Sequence, residues 1–147
     1  MRRHRSGVSL VELIFTLSVL GVLAGVAVPA AAGLRDVLAV RGARDAVAGG
    51  LAHARAAAIT HGGASLEIDL DAGVARVVSA AGDTLGGAIR LTAGHGVEIE
   101  VPARTGVVAV RFDGLGIGRL ANRTVVFRRG RAEARLVVTA YGRWRDG

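Results

Sequence analysis

Between Val8 and Val28 the chain runs for 21 residues with a single charge, Glu12. A helix of that length reaches about 30 Å, the thickness of a bilayer core. Arg2, Arg3, His4 and Arg5 stand just ahead of it, and arginines on one side only keep a short N-terminus cytoplasmic. A carboxylate inside such a segment costs on the order of 2–3 kcal/mol even on lenient insertion scales, so Glu12 needs a partner or a place at the membrane edge. An ordinary secretory signal competes for this region, with small residues at Val28-Pro29-Ala30. Its apolar core would span only about 7–15 residues, and Glu12 interrupts the run.

The stretch Gly7-Val8-Ser9-Leu10-Val11-Glu12-Leu13 joins the basic head to the apolar run. A short basic leader ends in Gly, and a Glu follows at the fifth position inside the apolar segment. This arrangement resembles the class III signal of type IV pilins and type II secretion pseudopilins. Val8 stands where Phe is usual, and Pro29 matches the proline near the end of the pilin membrane segment. The resemblance implies cleavage by prepilin peptidase between Gly7 and Val8, then methylation of the new N-terminus. It also implies that Glu12 pairs with the N-terminal amine of a neighbouring subunit.

The chain has 147 residues, so one small domain beside the anchor is expected. It has no cysteine, so packing alone must hold the domain. All of its cations except histidine are arginine, which can meet phosphate or carboxylate through two parallel hydrogen bonds. Charge is uneven. Residues 1–35 carry four Arg against Glu12, net +3; residues 36–102 carry five Arg against eight acids, net −3; residues 103–147 carry ten Arg against three acids, net +7. A basic C-terminal end points to a polyanionic partner or to a solvated basic face.

Past Pro29, Val40, Val47, Leu51, Ala54 and Ala58 recur at helical spacing. The pattern predicts one helix from about Val8 to Thr60, bent at Pro29, soft at Gly49-Gly50 and stopped by His61-Gly62-Gly63. From Ala64 the period becomes two. Leu66, Ile68 and Leu70 form one strand, and Asp71-Ala72-Gly73 turns the chain into Val74–Val78. Ile89 and Leu91 mark a short strand, and Val97, Ile99 and Val101 another. Val108, Val110 and Phe112 follow, then a loop with Gly114, Gly116 and Gly118. Two further strands flank a hairpin tip at Arg129-Gly130-Arg131. The expected class is α+β: a long N-terminal transmembrane and amphipathic helix packed on a C-terminal antiparallel β domain, as in type IV pilins. The expected divisions are a leader at 1–7, a transmembrane half-helix at 8–29, a periplasmic half-helix at 30–62 and a β-rich domain at 63–147.

No catalytic pattern emerges, so no enzyme, cofactor or metal is expected. His4, His53, His61 and His95 lack metal-ligand spacing, and the glycines of 114–118 lack the strand-to-helix context of a dinucleotide site. The end is more informative. Arg143 and Arg145 flank Trp144 just after a strand. With Arg128, Arg129 and Arg131 at the hairpin tip they are candidates for one phosphate-binding surface; otherwise they are solvated or pair with Glu133 and Asp146.

Ala54-Arg55-Ala56-Ala57-Ala58-Ile59-Thr60-His61-Gly62 resembles the Ala-Arg-x-x-Ala-Ile-x-x-Gly segment of GspH/FimT-type minor pilins. Val110-Arg111-Phe112-Asp113-Gly114 and Gly142-Arg143-Trp144-Arg145 are similar to that family's ends. The resemblance implies a minor pilin or pseudopilin anchored in the inner membrane by a single span, its C-terminal domain periplasmic, assembling with other pilins into a filament. One branch of the family sits at the tip of the type II secretion pseudopilus and meets secreted proteins. Another serves type IV pili, with some members binding DNA through a terminal Gly-Arg-x-Arg, which Gly142, Arg143 and Arg145 match.

Overall fold

The computed structural model describes residues 9–119 and 122–147; Gly7 and Val8, where processing is expected, lie outside them. One helix, α1, spans Leu10–His61 and continues through both Pro29 and Gly49-Gly50. The chain divides into two compact units, Met1–Leu34 and Arg35–Gly147.

In the first unit every described residue, from Ser9 to Leu34, is exposed. The helix here is long and apolar enough to cross a membrane. Two of its hydroxyls are satisfied locally: that of Thr16 donates to the Glu12 carbonyl at 2.7 Å and that of Ser18 to the Ile14 carbonyl at 2.8 Å. Such back-bonding spares these two hydroxyls the need for water.

In the second unit the same helix becomes one-sided. Val40, Ala43, Val47, Gly50, Leu51, Ala54, Ala57 and Ala58 are buried at steps of one, three and four, the stripe an amphipathic helix turns to a core. Gly50 is a contact rather than the expected soft spot. A Cβ there would lie 2.9 Å from Ile89 Cδ1 and 3.0 Å from Leu66 Cδ1, so the missing side chain lets the sheet come close. Gly62, with φ +73°, ends the helix in the left-handed conformation open to glycine.

Among the described residues eight strands form two antiparallel sheets. The first contains β1 (Gly63–Asp69), β2 (Val74–Ser79), β3 (Thr84–Arg90) and β5 (Val107–Asp113), in the order β3-β2-β1-β5. The second contains β4 (Glu98–Glu100), β6 (Arg123–Arg129), β7 (Ala132–Val138) and β8 (Trp144–Asp146), in the order β4-β6-β7-β8. Leu66, Ile68, Val110, Phe127 and Leu136 join the helical stripe in one core. The result is the expected α+β class, a long N-terminal helix followed by antiparallel sheets.

One expectation needs correction and one is sharpened. Leu91 is not in a strand; it is the buried first residue of a short helix, α2 (Leu91–His95). Its alternation with Ile89 arose because β3 ends at Arg90, and Leu91 N–H donates to the Gly73 carbonyl at 2.8 Å instead of to a strand partner. The terminal segment, placed from the sequence only as lying just after a strand, is a strand itself, with Val138 opposite Trp144 and Val137 opposite Arg145.

Three hairpin loops share one design. Ser79, Asp113 and Thr139 each donate from backbone N–H to the carbonyl four residues on, at 2.8, 3.0 and 2.7 Å. Each also accepts from the N–H of a glycine three residues on: Gly82, Gly116 or Gly142, at 3.0, 2.8 and 2.9 Å. These glycines all have positive φ, the geometry of a turn closed by a glycine bulge.

Candidate assembly and binding surfaces

Glu12 lies in the first turn of α1, where the exposed N–H groups favour an acid. It is exposed, and among the described residues it has no ion-pair partner. Around it Leu10, Val11, Leu13, Ile14, Phe15 and Leu17 are each at least half exposed. A lone carboxylate in an uncovered apolar cylinder can receive a cation only from outside the described fold.

The five candidate arginines fall into two groups that the structure keeps apart. Arg128, Arg129 and Arg131 lie at the β6–β7 tip, beside the start of β7. Arg145 pairs with Val137 near the end of β7. Ala132 to Val137 is five steps, about 17 Å along the strand. The five candidates therefore do not make one compact cluster; sequence nearness gave way to strand length.

The tip arginines face acids. Arg128 bonds Glu100 and also Glu133 at 3.0 Å, and Arg135 holds Glu133 at 2.6 Å. The Arg128 hydrogen bond, then that of Arg135, keeps the Glu133 carboxyl below the usual range, and Arg128 is raised in turn, first by Glu133. Arg129 bonds Asp36 on α1 at 3.0 Å and donates to the His95 carbonyl at 2.7 Å. It ties the helix, α2 and the hairpin together. Arg131 is exposed, with no ion pair among the described residues.

The C-terminal group is arranged differently. Trp144 is half-buried against the core, and alternation in β8 turns Arg145 to the opposite face. Arg143 and Arg145 are both exposed and make no ion pair among the described residues. Asp146 does not neutralise them; it bonds Arg44 on α1 at 2.9 Å. Gly142 has a structural reason of its own. It is buried at φ +73°, and a Cβ there would collide with the Phe112 ring and lie 3.1 Å from Gly118 Cα.

Loop geometry also sets the electrostatics at Asp113. Its carboxylate accepts from the N–H groups of Ile117 and Leu115, each at 3.0 Å, and from Arg119 at 3.3 Å. The Ile117 bond leads in holding this carboxyl below its ordinary value. Sequence reasoning gave no site role to Asp36, Asp113 or Arg44; of the three, only Asp113 carries a local signal, the Asp-x-x-Gly spacing of its loop. Among the described residues no cluster of His, Asp or Glu is placed to hold a metal ion.

Residues 2–28 match the family model of the prokaryotic N-terminal methylation motif. The fold is similar to that of the type IV minor pilin FimU of Pseudomonas aeruginosa in two crystal forms. One superposes with a TM-score of 0.56 at 14% identity, covering 74% of this chain and 87% of that one. The other gives 0.55 at 15% identity, covering 73% and 91%. At such identity the likeness is one of fold. No curated protein matches the chain by sequence.

Proposed function

We propose that this chain, with its prepilin methylation signal and minor-pilin fold, is a minor pseudopilin assembled at the tip of a periplasmic filament for protein secretion. Prepilin peptidase removes Met1–Gly7, and the helix from Val8 holds the subunit in the inner membrane until it is recruited. Its β domain then meets neighbouring pilins and secreted proteins. The observation that carries this reading is the exposure of every described residue up to Leu34 in an almost wholly apolar helix. Lipid covers such a surface before assembly, and other subunits' helices cover it afterwards. Glu12, paired with a neighbour's N-terminal amine, sets the axial register.

Two measurements test it. Intact mass of the membrane-extracted protein should show loss of Met1–Gly7 and gain of one methyl group. Glu12→Val should insert normally but fail to enter the filament; normal co-assembly of that variant removes the register role.

A second reading is favoured by the exposure of Arg143 and Arg145, which have no ion-pair partner among the described residues. In it the subunit binds DNA phosphates through the terminal Gly-Arg-x-Arg and serves DNA uptake. Affinity should then fall with salt at a log–log slope of about −0.9 per duplex phosphate neutralised. It should also drop when Arg143 and Arg145 are both changed to Ala. Unchanged binding in that double variant sinks the reading.

A further inference from the structure

Where the first sheet's edge strand β5 approaches the start of β6, two adjoining clefts of about 370 and 340 Å³ meet at Arg104 and Arg123. Arg111 and Arg119 complete the rim of the second. Among the described residues no acidic and no aromatic one lines either cleft. Arg119 bonds Asp113, whose carboxylate already accepts two backbone N–H groups. Arg104, Arg111 and Arg123 make no ion pair among the described residues. Arg128, Arg129 and Arg135 have carboxylate partners, whereas three of the four arginines gathered in this trough have none among the described residues. It is also separate from Arg143 and Arg145, which line neither cleft.

We infer that this trough is a docking site for an extended acidic segment of a partner protein. Planar guanidiniums on the rim fit carboxylates in two-point contact. Beside them the clefts also present a few apolar side chains, Pro102 and Val107 among them, which can meet the small aliphatic side chains that alternate with acids in an extended chain. Nucleic acid fits less well. Among the described residues a single strand would find no ring to stack its bases on, a contact that single-strand binders use widely.

The test uses the full chain in detergent micelles and a fluorescent peptide of alternating glutamate and valine. Its controls are a lysine–valine peptide and a thymidine oligonucleotide. The glutamate peptide should bind, the lysine peptide should not, and affinity should weaken as salt rises. Arg104→Gln with Arg123→Gln should lower affinity about tenfold or more, and Arg76→Gln with Arg90→Gln, outside the trough, by less than about twofold. Because Arg123 is half-buried, Arg104→Gln with Arg111→Gln, both exposed, serves as a second disruption; its expected loss is the same, with an unchanged melting temperature. Absence of glutamate-peptide binding, equal losses in the trough and outside pairs, or tighter trough-dependent binding of the oligonucleotide would each overturn the inference.

Discussion

One helix behaves as two. From Leu10 to Leu34 it is apolar on all sides and entirely exposed; from Val40 to Ala58 it carries one buried stripe. The second half finds its apolar partners inside the chain, the first can find them only outside. Periodicity is the physical difference. A stripe needs one neighbour, whereas a cylinder needs a surrounding medium, lipid or a bundle.

The sharpest way to break this contrast is to truncate a leucine in each half. Leu51→Ala, in the core, should cost about 2–5 kcal/mol of β-domain stability in denaturant unfolding. Leu17→Ala should leave that unfolding within about 0.5 kcal/mol. A comparable loss at both positions would mean that the first half also belongs to the domain's core.

Glycines sharpen the comparison at a smaller scale. Gly142→Ala forces an alanine into φ +73° against Phe112 and should cost about 1 kcal/mol or more. Gly21 and Gly25 have nothing within 4 Å of an added Cβ, so alanine there should leave the domain's melting temperature unchanged. If Gly142→Ala also weakens DNA binding, only the loss in excess of that caused by unfolding bears on the terminal arginines.

Acid provides the gentlest probe. Asp113 and Glu133 have folded-state values below their ordinary 3.8 and 4.5. A depressed carboxyl contributes stability that is complete above the unfolded value and lost as pH falls through the folded one. Thermal melting of the β domain should therefore be flat above about pH 5 and decline below about pH 4.5. Asp113→Asn should shrink that decline. An unaltered profile in the variant would take Asp113 out of the acid response.

Much of this architecture was legible because it rests on short-range periodicity. The helical stripe from Val40 to Ala58 and the alternation in Leu66–Leu70 and Val108–Phe112 each report one element's buried face. What stayed hidden depends on contacts between elements. Leu91 sits in a period-two pattern that continues past the end of its strand. Trp144–Asp146 is too short to signal a strand until β7 is beside it. Gly50 looks like a helix breaker until Leu66 and Ile89 are in place. The candidate arginines were readable as residue types but not as a surface. Register sets Arg145 beside Val137, far from the tip, and the long-range partners Asp36 and Glu100 engage Arg129 and Arg128.

The claim that the first half of α1 is covered by other subunits is tested most directly by photo-crosslinking. Benzoylphenylalanine replaces Val22, an exposed position in that half, and the filament fraction is irradiated. Covalent adducts with pilin-type subunits are the expected result. Incorporation into the filament fraction with adducts to lipid alone, or to no protein, would contradict the account.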